Sequence, residues 1–289
     1  DDRKRFDNNN GNQGDKTLDR LETVYSLGPY LRAELKWTPR LELVGGVRYD
    51  RVDFDLDDVF LEDGDQSDSR TISEWSGTLG SVFHWNERMH FYTNVATVFE
   101  TPTTTELTKD PLGGSGFNSD LNSQKSMSYE IGLKSIKTEE TEFNLALFFI
   151  QSRDELIPFE LDALPGSTFY KNAGKSLRIG LEAMTVCRPM KGIKTFVSYY
   201  IYSDFKFTEF NDDGVDQLGH FIPSISEHHF TVILDAYSQS KWLARGEIEY
   251  GSAFFVNNEN TIKNDAYTQA SSRLGGKALW EYFGGLFFF

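Results

Sequence analysis

The chain has 289 residues, of which 39% are hydrophobic and 15% aromatic, and its formal net charge is -15. The acidic balance argues against a nucleic-acid partner, because phosphate binding relies on clustered Lys and Arg side chains. No segment approaches the roughly 18 apolar residues of a membrane-spanning helix, and the single cysteine, Cys187, excludes an internal disulfide.

Alternation of polar and apolar residues runs through the chain and predicts long β-strands. In residues 31–37 every second residue is apolar and the residues between them are charged. Strands of globular sheets usually have five or six residues, whereas a tilted membrane strand needs roughly 9–11. Segments that reach this greater length are 25–37, 40–55, 88–99 and 192–207.

Two kinds of connection alternate between these strands. Short polar turns are predicted near residues 38–40, 86–88, 137–141, 189–192 and 238–240. Long loops rich in Asp, Asn, Gly, Ser and Thr are predicted at residues 56–69, 100–124, 155–167, 208–224 and 256–266. The strands of a soluble sandwich also alternate polar and apolar residues, but its turns recur every 8–12 residues or so. Short turns on one side and long loops on the other favour an all-β fold, a transmembrane antiparallel β-barrel of outer-membrane type with about 12 strands.

The aromatic C-terminal stretch gives this barrel a direction. Residues 280–289 read WEYFGGLFFF and resemble the terminal strand signal of bacterial outer-membrane proteins. With Phe289 at the periplasmic end, we expect the long loops to lie outside the cell, and we expect residues 1–22 to belong to an outer loop whose preceding strand is absent from the chain. Residues 267–289 are too many for one strand and too few for three. We therefore expect that residues 273–282 join segments not adjacent in the native protein, or that a hairpin is missing there.

Residues 91–107, FYTNVATVFETPTTTEL, begin as a strand that stops at Pro102, since proline has no N–H for the ladder and biases Thr101 towards extended geometry. With residues 113–134, this stretch resembles the barrel of TonB-dependent receptors. In that family a strand ending Phe-Glu-Thr-Pro, then Glu-Leu, leads through a loop to Leu-Asn-Pro-Glu-Lys and Tyr-Glu-Ile-Gly. The matching residues are Phe99, Glu100, Thr101, Pro102, Glu106, Leu107, Leu121, Asn122, Lys125, Tyr129, Glu130, Ile131 and Gly132.

Two further stretches carry the same resemblance. Residues 169–182, FYKNAGKSLRIGLE, are similar to the family's Asn-Ala-Gly followed by Gly-Leu-Glu, with Asn172 and Gly174 in the first part. Residues 26–50 are similar to its strand-turn-strand ending Gly-Val-Arg-Tyr-Asp. We expect architectural roles for the motif residues, and we expect Gly132 and Gly180 to mark a bend or the close approach of another group.

The resemblance implies an outer-membrane receptor that imports an iron-siderophore or another scarce nutrient, without catalytic residues, metal or cofactor. The family's barrel has 22 strands around a plug domain, with a segment that engages TonB. Nothing in this chain resembles the plug, so residues 1–289 are interpreted as a partial barrel that reaches the TonB complex only through a plug outside the chain. The alternative is a smaller autonomous barrel acting as a passive pore.

The implied partners are outer-membrane lipid and lipopolysaccharide, and a ferric chelate or other small nutrient. Aromatic side chains in or beside the long loops are the candidate contacts for that nutrient. They are Phe117, Phe159, Phe169 and Tyr170.

Two other groups of residues suggest chemistry that their spacing does not support. Residues 55–68, DLDDVFLEDGDQSD, are acidic but fail the EF-hand spacing, because Phe60 and Leu61 occupy ligand positions. A solvated acidic loop is the preferred interpretation, with divalent ions bridging it to lipopolysaccharide as the alternative. The adjacent His228 and His229 face opposite sides of a strand, so they do not chelate one ion together.

A lipid-hydrolysing barrel enzyme is a third functional alternative. It would need a serine nucleophile beside a histidine and a carboxylate. Ser and His residues are scattered and no Gly-x-Ser-x-Gly turn occurs, so the sequence marks no nucleophile.

Overall fold

The computed structural model of the chain describes residues 1–138, 141–161, 164, 166–212, 214–237 and 242–276. Within these ranges the fold is built from antiparallel strands, as the alternation predicts. Helical structure there consists of a 3₁₀ turn at Leu61–Asp63 and a helix, α1, at Thr104–Leu107. No helix in the described ranges is long and apolar enough to cross a membrane.

The strands follow one another along the chain with few interruptions. Their bounds are β1 Asp2–Asn9, β2 Asn12–Leu27, β3 Tyr30–Thr38, β4 Leu41–Asp58, β5 Asp68–Asn86, β6 Met89–Glu100, β7 Gln124–Thr138, β8 Thr141–Glu160, β9 Thr168–Met190, β10 Ile193–Glu209, β11 Asn211–Asp212, β12 Val215–Asp216, β13 His228–Tyr237, β14 Trp242–Gly251, β15 Phe254–Phe255, β16 Lys263–Asn264 and β17 Tyr267–Gly276.

One sheet of 13 strands forms the wall, in the order β1-β2-β4-β5-β6-β7-β8-β9-β10-β13-β14-β17, and β3 also pairs with β4. β2 pairs with β4 from Leu27 opposite Arg51, and β3 takes over from Tyr30 opposite Arg48. β2 and β3 therefore form one strand that is interrupted at residues 28–29. Counted in this way, the wall has about twelve side-by-side strands, as predicted. Among the described residues, no pairing joins β1 to β17, so the sheet is open.

The connections separate into two ends of the wall, as the sequence predicts. Residues 39–40, 87–88 and 191–192 are tight turns at what we call the short-turn end. The segments 59–67, 101–123 and 252–266, and the described parts of 161–167 and 210–227, lie at the opposite, long-loop end. The predicted turn at 238–240 and the C-terminal signal at 280–289 fall outside the described residues, as do residues 277–282 of the questioned segment 273–282.

The predicted loop at 155–167 is wrong at its start, because β8 continues to Glu160. Its polar residues follow an irregularity inside the strand. Asp154 has a φ of 56° and Gly174 on β9 has a φ of 74°, while pairing continues on both sides of them. The start of the predicted loop therefore corresponds to a kink within the extended β8–β9 hairpin.

Residues 1–22 were expected to form an outer loop, and the structure instead folds most of them into the β1–β2 hairpin. Asn10 and Gly11 connect the two strands with φ values of 54° and 90°. Two positive φ values suit a two-residue hairpin turn, for which Asn-Gly is the preferred sequence. The hairpin projects past β4 at the long-loop end, because β2 pairs with β4 only from Arg20 onwards.

The two faces of the wall differ in chemistry. Large apolar side chains such as Leu79, Ile131 and Leu147 are exposed on one face, which we call the outward face. On the opposite, inward face, a β-carbon at Gly132 or Gly180 would collide with the ring of Tyr92 or Phe148. Both glycines therefore mark the close approach of a neighbouring aromatic ring, as expected.

Candidate functional site

The loop at residues 101–123 folds back over the long-loop end of the wall. It begins with α1, which is closed by a capping box: the Thr103 N–H donates to Glu106 Oε2 at 2.6 Å, and the Glu106 N–H donates to Thr103 Oγ1 at 3.4 Å. This arrangement satisfies backbone donors that a helix start otherwise leaves open. The turn carries Leu107 into the interior, where it is fully buried.

An apolar group, which we call the mouth cluster, forms beneath this loop. Its residues are Phe54, Leu56, Ile72, Leu107, Phe117 and Leu121. Phe117, one of the predicted substrate contacts, is only 6% exposed, and its ring centroid lies 6.4 Å from that of Phe54. Tyr170, another predicted contact, is half-buried and packs against the cluster. The structure thus brings these two residues together.

Arg70 on β5 binds the same loop to the wall. Its guanidinium donates to the carbonyls of Asn118, Ser119 and Leu121, at 3.2 Å for Ser119. Burial lowers the pKa of Arg70 from its ordinary value, and the charges of Asp120 and Asp68 oppose that shift. Sequence analysis missed Arg70, because its partners are backbone carbonyls that leave no pattern in the side chains.

Asn172, a motif residue on β9, joins the loop to the β8–β9 hairpin. Its Nδ2 donates to the carbonyls of Asn122 and Asp154, each at 2.8 Å, and its Oδ1 accepts from the Asn122 N–H. One amide side chain therefore holds both the returning loop and the kink at Asp154.

Other motif residues lie on β9 and in the segment that leads from β6 into α1. The position of Gly174 has no room for a side chain, because a β-carbon there would meet the Glu209 carbonyl and lie 2.9 Å from the Phe210 β-carbon. Phe99 is half-buried at the end of β6, and Glu100, which follows it, is exposed. Thr101 and Pro102 lead into α1, and Pro102 is fully buried.

A second apolar group, the rim cluster, lies towards β10 and the loop at 210–227. Its residues are Ile157, Phe205, Phe207, Phe210 and Ile222. Beside it, the rings of the predicted contacts Phe159 and Phe169 meet at a tilt of 40°, with their centroids 6.0 Å apart. Lys171 Nζ lies 4.9 Å from the Phe159 centroid and 3.0 Å from Asp212 Oδ1. The four predicted contacts therefore divide into two pairs, Phe117 with Tyr170 at the mouth cluster and Phe159 with Phe169 beside the rim cluster.

A buried polar group follows these clusters on the inward face. Glu155 is only 6% exposed, and its Oε1 accepts from Ser176 and from Arg178 Nη1 at 3.0 Å. Arg178 Nη1 also donates to Ser152 Oγ at 3.2 Å. These contacts fix the carboxylate and the guanidinium in position relative to each other.

A cleft of about 500 Å³ opens between the end of β8 and the loop at 252–266. Glu155, Asp212 and Glu259 contribute carboxylates to its lining, and Ile157 and Phe207 contribute apolar surface. Asp212 is bridged across the cleft by Asn258, whose Nδ2 donates at 2.9 Å. Polar groups that converge on an apolar-lined cleft are typical of small-molecule sites.

The two adjacent histidines stack on tyrosines of β10. His229 stacks on Tyr200 at 5.0 Å between centroids, and its Nε2 lies 2.8 Å from Glu249 Oε1. His228 stacks on the neighbouring Tyr199 at 6.2 Å. Consecutive strand residues point to opposite faces, so the pair serves two separate stacks. The described residues contain no group of three or more His, Cys, Asp or Glu side chains that could hold a metal ion.

Comparison with protein families gives one match that covers most of the chain. The sequence model described as "TonB dependent receptor-like, beta-barrel" matches residues 1–280. This range includes the whole of the described wall and all the motif residues discussed above.

Solved structures with similar folds are transport proteins. The ferric yersiniabactin uptake receptor FyuA from Yersinia pestis is 17% identical, with a TM-score of 0.66 over 91% of this chain and 40% of that chain. The ferric citrate transporter FecA in its unliganded form is 15% identical, with a TM-score of 0.68 over 90% of this chain and 39% of that chain. The copper transporter OprC is 15% identical, with a TM-score of 0.68 over 94% and 42%. This chain therefore spans about two fifths of the length of these structures.

Proposed function

We propose, since this chain belongs to the TonB-dependent receptor β-barrel family, that it forms part of the wall of an outer-membrane receptor that imports a scarce nutrient. The observation that carries the proposal is the family match over residues 1–280 together with the matching antiparallel wall. The exposed apolar outward face supports a membrane location, because the outside of such a barrel contacts lipid.

The nutrient we propose is a metal chelate, with a ferric siderophore as the first candidate. The similar solved structures are receptors or transporters of ferric yersiniabactin, ferric citrate and copper. The family and these structures are transport proteins rather than enzymes, and we assign no catalytic residue. A nucleic-acid partner is not part of the proposal, given the net charge of -15.

The chelate is proposed to bind where the mouth cluster and the rim cluster meet. Phe159 and Tyr170 are half-buried and offer aromatic surface there. Phe117 and Phe169 are buried, so in this proposal they form the floor that holds the other two rings in place. The polar group at Glu155 and the adjacent cleft supply hydrogen-bonding partners for the chelate.

The remaining partners follow from the family. Outer-membrane lipid and lipopolysaccharide surround the outward face in this proposal. A plug domain outside this chain fills the barrel and connects it to the TonB complex. Energy coupling therefore belongs to the whole receptor, of which we propose that this chain supplies part of the barrel.

Uptake measurements in intact cells test the proposal. Strains with and without the gene for this protein are supplied with radiolabelled ferric siderophores, ferric citrate and a copper complex, each with and without functional TonB. We expect one class of chelate to accumulate only when both the receptor and TonB are present. Accumulation that needs the receptor but not TonB would instead support a passive pore.

A further inference from the structure

Two histidines face each other beside the turn that joins β5 and β6. His84 and His90 are directly opposite in the ladder, and their Nδ1 atoms are 2.8 Å apart. Their ring centroids are 4.8 Å apart, and the ring planes meet at 82°. Between two ring nitrogens at this distance there is room for one proton, so one ring donates and the other accepts. The pair therefore presents two nitrogen atoms to one small volume.

The histidine pair lies on the inward face at the short-turn end. Residues at every second position of a strand share a face, which places His90 with Tyr92, whose ring covers Gly132. The neighbouring Phe83 and Phe91 are exposed on the outward face. Both histidines are half-buried. The pair is therefore separated from the proposed chelate site, which lies at the long-loop end of the wall.

A carboxylate on the next strand orients one of the two rings. Glu42 on β4 places its Oε1 3.4 Å from His84 Nε2, on the side of the ring that faces away from His90. A carboxylate at this position favours the tautomer with the proton on Nε2, which leaves the Nδ1 lone pair directed at His90. Histidines that bind metals in proteins almost always donate their second ring N–H to such an acceptor.

Two lysines lie near the histidine pair, and each has a carboxylate beside it. Lys36 Nζ is 3.8 Å from Glu42 Oε1. Lys134 is opposite His90 on β7, and its Nζ is 3.3 Å from Glu142 Oε1. Opposite charges at such distances offset each other, so the two lysines oppose the approach of a cation only weakly.

The distance between the two nitrogens selects the geometry of a metal complex. Two nitrogens bound to one metal at about 2.0–2.1 Å are about 2.9 Å apart at a right angle and about 3.4 Å apart at a tetrahedral angle. The observed 2.8 Å fits the right angle. Right angles between ligands are typical of square-planar and tetragonal Cu(II) and Ni(II), and Cu(II) has the highest affinity of the divalent first-row metals.

We propose that His84 and His90 bind one Cu(II) ion through their Nδ1 atoms, with Glu42 as the positioning residue and water in the remaining coordination positions. Each ring supplies one lone pair to the metal. The proton that lay between the two Nδ1 atoms moves to Nε2 of the ring that carried it. The site rests on the geometry of three adjacent strands and does not depend on the transport proposal.

Calorimetric titration of Cu(II) into the metal-free receptor in mild detergent tests the site. Every protein in the test carries Cys187→Ser, so that the free thiol neither binds nor reduces the metal. The test variant adds His84→Gln and His90→Gln. The control variant instead adds His228→Gln and His229→Gln, which removes the same number of histidines from a pair that faces opposite sides. We expect the test variant, but not the control, to bind one Cu(II) ion fewer than the parent protein.

Electron paramagnetic resonance of the bound Cu(II) counts the coordinated nitrogens. The spectrum of the parent protein minus that of the test variant should show coupling to two nitrogens, and His90→Gln alone should leave one. Glu42→Gln should keep two nitrogens but weaken this site about tenfold, because it replaces the carboxylate behind a ligand. Zn(II) at the same site should bind about tenfold or more weakly than Cu(II).

Three results would overturn the site. They are equal numbers of bound Cu(II) ions in the parent and test proteins, a difference spectrum with coupling to fewer than two nitrogens, and Zn(II) binding at this site as tight as that of Cu(II). An unchanged affinity in Glu42→Gln would overturn the positioning role of Glu42. Because the coupling is measured on protein that retains both histidines, a test variant that fails to fold does not decide the outcome.

Discussion

Asn172 holds both backbone groups of Asn122, donating to its carbonyl at 2.8 Å and accepting from its N–H. These residues are 50 positions apart in sequence, and each lies in a stretch that resembles a family motif. The contact joins the two stretches in the fold: one ends the returning loop, and the other supplies the side chain that binds it.

Replacing Asn172 with Ala is expected to release the loop at 101–123 without unfolding the wall. Each lost hydrogen bond contributes about 0.5–1.5 kcal/mol, so amide exchange around residues 117–123 should accelerate about tenfold or more. Asn172→Asp keeps the acceptor but places a carboxylate oxygen against the carbonyls of Asn122 and Asp154, so it should accelerate exchange at least as much. Hydrogen exchange followed by mass spectrometry measures both variants. Unchanged exchange in Asn172→Ala would show that the loop is held by other contacts.

Replacing Gly174 with Ala is expected to destabilise the wall near β10. The residue has a φ of 74°, and its new β-carbon would lie 2.9 Å from that of Phe210. Strain of this kind costs on the order of 1–3 kcal/mol. The matched control is Gly246→Ala, because a β-carbon there meets nothing within 4 Å. Urea unfolding followed by gel mobility compares the two variants, and equal midpoints would contradict this role for Gly174.

Replacing Arg70 with Lys is expected to loosen the loop although the charge is kept. One ammonium does not reproduce the fork that reaches the carbonyls of Asn118, Ser119 and Leu121. Limited proteolysis between residues 108 and 120 should become faster in both Arg70→Lys and Arg70→Gln. If the protease cleaves the Arg70→Lys variant at the same rate as the native protein, positive charge alone is sufficient to hold the loop.

The β1–β2 hairpin is expected to open in acid. The hydrogen bond from Lys16, at 2.6 Å, holds the pKa of the Asp19 carboxyl below its ordinary value. A lowered folded-state pKa stabilises the hairpin above the unfolded pKa of about 3.9, and this contribution is lost as the pH falls through the folded-state pKa. Amide exchange in residues 2–21, corrected for its intrinsic pH dependence, should therefore rise in acid.

Two variants separate Asp19 from other acidic effects on the hairpin. Asp19→Asn should weaken the hairpin at neutral pH and remove most of its acid response, whereas Asp7→Asn in the same hairpin should leave that response in place. If amide exchange still rises in acid in the Asp19→Asn variant, other carboxylates are responsible for the acid response.

Alanine at the four predicted contacts tests the chelate site. Replacing Phe159 and Tyr170 together should weaken chelate binding about tenfold or more, because an aromatic contact of this kind contributes on the order of 1 kcal/mol or more at each ring. Phe117→Ala and Phe169→Ala act on the floor and should also lower stability, since they empty buried volume. Phe143→Ala, on the outward face near the short-turn end, is the control for chelate binding. Unchanged affinity after all four substitutions would remove these residues from the site.

Much of the wall could be predicted from sequence, because the period of two and the kind of connection are local properties. The turns at residues 38–40, 86–88 and 189–192 follow directly from them. The hairpin at Asn10–Gly11 was also visible as an Asn-Gly pair, but the polar residues around it favoured a loop. β1 and the start of β2 consist mostly of polar residues, so their alternation gave only a weak signal.

The candidate site was less predictable, because it depends on contacts between distant segments. The sequence identified Phe117, Phe159, Phe169 and Tyr170 as aromatic residues near loops, without indicating which were buried. The carbonyl contacts of Arg70 and the cleft beside Glu155 form only when loops pack against the strands in the folded chain. Side-chain partners that are backbone carbonyls leave no periodic pattern to find.

Each strand of the wall pairs with strands that are its nearest neighbours along the chain. Within the described ranges the sheet is therefore a series of hairpins, and no pairing there joins strands from distant parts of the sequence. Such an order lets a wall of this kind lengthen or shorten in evolution by whole hairpins, with the remaining ladders unchanged. It also suits stepwise insertion, since every hairpin that joins the growing edge presents the template for the next.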